Sequence, residues 1–188
     1  AYWSYQAVLN LAQQLRDGAI VRGQPLYLFG HSAGGQFVHR LMSVLTPGVF
    51  TQVAAGNPGW YTLPLLELPF PEGLSGTPAT AESLAPLFAS PLTILAGDQD
   101  TETSDPHLPS EPAALRQGPH RYARALNYYA TAKAEAARRK LPFRWNLHTI
   151  AGIGHDGKAM SAVCAHLWFH HRLPDSGQLA ALAGQHTA

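Results

Sequence analysis

Cysteine is almost absent from the chain. Cys164 is its only one, so no disulfide can form within it. Cys164 shares a helical apolar pattern with Met160, Val163, Leu167 and Trp168, which reads as a buried structural thiol. Charge is scarce too. Charged residues make up 13%, the net charge is +1, and the longest basic run is Arg138-Arg139-Lys140, the polar end of a helix. That balance argues against a nucleic-acid partner. No apolar run approaches the ~20 residues of a bilayer-spanning helix, so no membrane span is expected. An initiator methionine is missing, and Ala1-Tyr2-Trp3-Ser4-Tyr5 opens in what reads as mid-helix, so the chain is expected to be a piece of a longer protein. Internal repeats are lacking as well. What remains is 188 residues, 46% of them hydrophobic, enough to bury the core of one domain.

Hydrophobic periodicity divides that domain. Trp3, Ala7, Val8, Leu11, Ala12 and Leu15 are spaced as one helix face over residues 2–16, closed by Asp17-Gly18. Pro25 to Phe29 is a short apolar run stopped by Gly30, as in a strand buried on both faces. A helical period returns over 33–46 and ends at Pro47-Gly48. Phe50 to Ala55 is a second strand, followed by Gly56-Asn57-Pro58-Gly59. Residues 60–90 are rich in Pro and Leu without a sustained period and read as a loop with short helices over a cleft. Leu92 to Ala96 is a third strand, broken by Gly97-Asp98. Another Pro-punctuated stretch, 101–118, leads to a long helix from about 119 to 139. Phe143 to Ile150 is a fourth strand, and a last helix covers about 158–171. The tail after Pro174 is expected to fray. Strands alternating with helices predict an α/β fold, a mostly parallel sheet with helices on both faces.

One motif carries chemistry. Gly30-His31-Ser32-Ala33-Gly34 is Gly-x-Ser-x-Gly set between an apolar strand and an amphipathic helix. A strand that turns at once into a helix forces its central residue into strained backbone angles, so bulk is expected to be excluded at Gly30 and Gly34. The turn lifts the Ser32 hydroxyl above the sheet and points the helix N-terminus, with the Ala33 N–H, at any oxyanion formed there.

A hydroxyl is a weak nucleophile and needs a base held by an acid. Of the 10 histidines, His155 has the position for it, on the glycine-rich turn 152–157 between the last strand and the last helix. Chain order Ser…Asp…His agrees. Asp100, a few residues past the third strand, is the first choice of acid. Asp98 is the second, with a turn-capping role as its alternative, and Asp105 a distant third. His31 packs beside the nucleophile without a proton-transfer role. Trp60 and Tyr61, beyond the second strand at the end where Ser32 emerges, are expected to line an acyl or alcohol pocket. His166 and His170 are spaced i, i+4 with His171 adjacent, but no third ligand is evident, and they read as an exposed helix face rather than a metal site. His39, His107, His120, His148 and His186 carry no signal.

Gly-His-Ser-Ala-Gly-Gly at 30–35, Leu-Ala-Gly-Asp-Gln-Asp at 95–100 and Gly-Ile-Gly-His-Asp-Gly at 152–157 resemble the α/β-hydrolase family, and within it bacterial esterases and the polyhydroxybutyrate-depolymerase-like group. The resemblance spans most of 1–172, a partial hydrolase domain with a cap-like segment at 60–90, and leaves 173–188 as a tail. It implies a Ser32–His155–Asp100 triad, an acyl-enzyme, no cofactor, and a small-molecule or polymeric ester as substrate. Members of the family usually carry further strands before the elbow and a loop donating the second oxyanion hydrogen bond. Residues 1–24 match neither, so the first strands are expected to be missing, and with them half the oxyanion hole. A chain made of residues 1–188 alone is then expected to be insoluble or inactive. Peptidase, thioesterase and a non-catalytic binding protein on the same scaffold stay open as alternatives.

Overall fold

The computed structural model describes residues 3–18, 21 and 23–184. Four strands pair in parallel in chain order: β1 (Tyr27–His31), β2 (Gln52–Gly56), β3 (Leu92–Gly97) and β4 (Asn146–Ile150). The pairing runs His31 to Gly56, Gly56 to Leu95, and Gly97 to Ile150, so all four strands finish at one edge of the sheet.

Chain order equal to spatial order has a consequence. Parallel crossovers are right-handed, so three successive steps in one direction put their helices on one face. That face carries α2 (Ala33–Leu45), α3 (Ala81–Phe88) and α5 (Arg121–Arg139), together with the short α4 (Pro112–Gln117) and, before β1, α1 (Trp3–Asp17). Its core holds Val53, Ala55, Leu92, Ile94 and Ala96 from the strands with Val38, Leu41, Leu87, Phe88 and Tyr128 from the helices. After β4 the chain turns back, and α6 (Gly157–His170) crosses the other face. There Ala54, Leu95 and Ile150 meet Met160, Val163 and Cys164, with Phe29, Leu167 and Trp168 packed against them. Neighbouring residues on one strand divide between the two cores with the period of two that a pleated strand imposes. Cys164 is buried, and that burial pushes its thiol up to about 12.

Two stretches differ from the expectation. Residues 60–90 are irregular except for α3, and part of the segment belongs to the core. Tyr61, Leu63 and Leu74 enter the main core, and Leu63 and Glu72 are joined through their backbones at 2.7 Å. Beyond Pro174, the helix α7 (Ser176–Gly184) packs Leu179 and Leu182 against the second core, so this part of the tail is ordered; His186 lies outside the described residues. Among the described residues no helix is long and apolar enough to cross a membrane.

Buried polar groups tie the first face together. His39 on α2 is fully buried; its Nδ1 lies 2.9 Å from the Gly35 carbonyl, and its Nε2 accepts the Thr62 N–H at 2.9 Å. Only the tautomer with the proton on Nδ1 satisfies both partners. Arg124 on α5, also fully buried, donates to the carbonyls of Gly59, Pro109 and Gly118, pinning three irregular segments where backbone acceptors have no ladder of their own.

Candidate active site

The turn between β1 and α2 is strained. Ser32 sits at the N-cap of α2 with φ 54° and ψ −117°, a region that costs a non-glycine residue on the order of 1–3 kcal/mol. Two hydrogen bonds hold it there: Ser32 N–H to the Gly56 carbonyl and Gln36 N–H to the Ser32 carbonyl, both 2.9 Å. Its hydroxyl makes no capping bond to the helix and is left for other partners.

Space around the turn corrects one sequence-based expectation. A Cβ at Gly30 would overlap the Gly34 carbonyl, and one at Gly35 would stand 2.9 Å from the Gly56 carbonyl, both backbone atoms. At Gly34 a Cβ meets nothing within 4 Å. The glycines that the turn requires are therefore 30 and 35, because 34 faces away from the sheet. Gly30→Ala is expected to destabilise by about 1–3 kcal/mol or more. Gly34→Ala is expected to keep or raise stability, since Ala suits a helix better by about 1 kcal/mol. Thermal melts of both variants check this; equal losses would undo the argument.

The β3 and β4 ends are laced together. Asp98 N–H donates to the Ile150 carbonyl at 3.1 Å and Gln99 N–H to the Ile153 carbonyl at 3.0 Å. The Asp98 carboxylate accepts the Gly152 N–H at 2.8 Å, so Asp98 organises the histidine turn without touching the imidazole. Asp100 does touch it: His155 Nδ1 lies 2.7 Å from Asp100 Oδ2, and His155 Nε2 lies 3.0 Å from Ser32 Oγ. A carboxylate only accepts, so Nδ1 carries the proton and Nε2 is free to take one from the hydroxyl. Asp100 is 1% exposed while the His155 side chain is 30% exposed, a dry anchor behind a wet ring. Asp156 caps the start of α6 by accepting from Lys158 N and Ala159 N, which fixes the far side of the turn.

Behind Asp100 lies a cation the sequence did not announce. Arg121, the first residue of α5, is 1% exposed; its guanidinium stands 3.6 Å from Asp100 Oδ1 and 2.6 Å from Asp105 Oδ2. Asp105, the third candidate acid, thus reaches the site only through Arg121. The His107 N–H and then Arg121 hold its carboxyl below the usual carboxylate range. A polar residue at a helix start reads as solvated, and no local pattern distinguishes one enclosed by two carboxylates.

The remaining candidates separate. His31, at the end of β1, lies ring against ring with His155, centroids 4.7 Å apart. Burial first, and His155 second, push its imidazole down to about 4, so it stays neutral at pH 7. Trp60 is buried to 9% exposure, with the Arg40 guanidinium 5.5 Å from its ring. Tyr61 does not line a pocket. It is fully buried, stacked on Tyr128 at 4.4 Å, and its backbone is bound on both sides by the Gln117 carboxamide. Ala33 opens α2 and is exposed, its N–H at the positive end of the helix. An open cavity of ≈ 560 Å³ lined by Gly152–Lys158 lies beside His155. Among the described residues no three metal-ligating side chains gather, and His166 and His170 pack their rings 4.5 Å apart on α6.

The residue most clearly missed is Asn57. Its carboxamide, 1% exposed, links the β3 and β4 loops, and its φ of 45° lies in the left-handed region that Asn tolerates in a turn.

No protein-family model and no curated protein sequence matches the chain. Among solved structures it is similar to LpqC, a poly(3-hydroxybutyrate) depolymerase from Bordetella parapertussis, with 58% identity and a TM-score of 0.90 over 95% of this chain and 60% of that one. It is also similar to poly(aspartic acid) hydrolase-1 from Sphingomonas sp. KT-1, with 35% identity and a TM-score of 0.81 over 87% of this chain and 62% of that one. The chain thus spans about three-fifths of either neighbour.

Proposed function

We propose that this chain of the α/β-hydrolase family, a hydrolase by its neighbours, cleaves carboxylic esters through Ser32, with a polymeric ester as the substrate class. The single observation that carries the reading is the unbroken relay from Ser32 Oγ through His155 to Asp100, with steps of 3.0 and 2.7 Å. Its chemistry follows from those atoms. The hydroxyl attacks the ester carbonyl as its proton passes to His155 Nε2. The tetrahedral oxyanion lies toward the Ala33 N–H and the positive end of α2. Collapse breaks the bond to the leaving alcohol, which takes the proton from Nε2, and leaves an acyl group on Ser32. Water, deprotonated by the same nitrogen, releases the acid and restores the hydroxyl. Asp100 holds the imidazole in the working tautomer throughout. Neither step uses a cofactor.

An amide is the second reading, because one structural neighbour is a poly(aspartic acid) hydrolase. The two are separated by incubating the full-length protein with poly(3-hydroxybutyrate) and with poly(aspartic acid) and measuring released acid. The triad itself is tested with a fluorophosphonate probe. Labelling is expected at Ser32, and it should vanish in Ser32→Ala and fall to background in His155→Ala. Label on another residue, or undiminished label in His155→Ala, would overturn the assignment.

A further inference from the structure

We propose that Asn57 is a positioning residue that sets the register of the loops bearing nucleophile, base and acid, an inference that rests on the triad reading above. Parallel strands end their ladder at His31, Gly56, Gly97 and Ile150. Beyond those residues Asp98 and Gln99 join the β3 loop to the β4 loop, and the end of β2 has to be tied to both by other means. Asn57 stands one residue past β2, the strand between the serine and the acid. Its Oδ1 accepts the Gly97 N–H at 2.9 Å, at the root of the loop that carries Asp100. Its Nδ2 donates to the Gly154 carbonyl at 2.9 Å, one residue before His155. Its own N–H donates to the Leu95 carbonyl at 3.1 Å, and the preceding Gly56 carbonyl accepts the Ser32 N–H at 2.9 Å. Four hydrogen bonds through two residues thus join three loops.

Only a carboxamide fits. One end must accept and the other must donate, and the Asn57 side chain is 1% exposed, with its bond to Gly97 fully buried. Aspartate would keep the bond to Gly97 but turn a second acceptor toward the Gly154 carbonyl. Glycine would remove both bonds while relieving the positive φ. This separates positioning from plain stability, because the two effects of Asn57→Gly on the fold oppose each other and its effects on register do not.

In the full-length protein, Asn57→Gly and Asn57→Asp are each expected to lower kcat by about 10–100-fold, as displacements on the order of 1 Å do, with KM changed less than threefold. The rate of fluorophosphonate labelling at Ser32 should fall with kcat while circular dichroism still reports a folded chain. Wild-type labelling with unchanged labelling in both variants would overturn the positioning role alone. Loss of activity that follows the unfolded fraction of each variant would overturn it as well. A wild type that takes no label at Ser32 would overturn the triad reading, and this inference with it.

Discussion

Asp100→Asn is expected to fold and to hydrolyse a p-nitrophenyl ester about 10⁴ times more slowly than the parent. The reason is the direction of one proton. Asp100 Oδ2, 2.7 Å from His155 Nδ1, forces that nitrogen to be the donor and leaves Nε2 with a lone pair facing Ser32 Oγ. An asparagine that turns its amide toward Nδ1 reverses this: Nδ1 becomes the acceptor, Nε2 carries the proton, and the hydroxyl has no base. The fold survives because Arg121 keeps Asp105 as its partner at 2.6 Å. Asp98→Asn is the matched control. Asp98 accepts the Gly152 N–H and the Gln99 side-chain amide, which a carboxamide oxygen can also do, so the loss in Asp98→Asn should stay below tenfold. Initial-rate kinetics with both variants decide the matter. A loss under tenfold in Asp100→Asn, or a larger one in Asp98→Asn, would move the acid to Asp98.

The contrast between the two aspartates marks what the sequence could carry. The elbow was legible because it is local: an apolar strand, a glycine-flanked serine and an amphipathic helix occupy adjacent residues, and each imposes the next. Distance past the strand end put Asp100 ahead of Asp98, and the structure sets the Asp100 carboxylate 2.7 Å from His155 Nδ1. Strand limits were read less well, because they were inferred from apolar runs while a ladder belongs to the backbone. β1 continues through Gly30 to His31 since both pair with β2. Phe143 and Trp145 looked like the start of β4, yet they turn into the aromatic cluster with Phe88 and the strand begins at Asn146. Gly34 and Gly35 could not be told apart without knowing which side of the helix faces β2. Asn57 and Arg121 were not legible as site residues, because their partners are remote. Asn57 meets Gly154 across 97 positions, and Arg121 becomes a buried cation only when two separate aspartates arrive beside it. Local pattern specifies where a side chain starts, and long-range closure decides what it touches.

Acid is expected to destabilise this protein before its carboxylates begin to titrate, and His39 is one reason. Its Nε2 accepts the buried Thr62 N–H, so protonation would set two donors against each other in a site with no water. Burial, with the Arg40 charge second and the Gly35 carbonyl opposing both, pushes the imidazole down from 6.5 to about 3. The sign follows. Between those values the unfolded chain binds a proton that the native chain refuses, so stability rises with pH. The contribution is complete above about 6.5 and is lost as pH falls toward 3. Each unit is worth about 1.4 kcal/mol, which puts the loss at pH 4.5 at roughly 2–3 kcal/mol. His31, pushed down to about 4, adds in the same direction. Urea melts at pH 7.5 and 4.5 measure the total, and His39→Gln, neutral at both, should reduce the difference by about 2 kcal/mol or more. An unchanged difference would exclude His39 as its source. The expectation reaches the active site because His39 lies on α2, the helix that begins at Ser32, and bonds it to Thr62. Acid that breaks this bond is expected to loosen the helix that starts at Ser32.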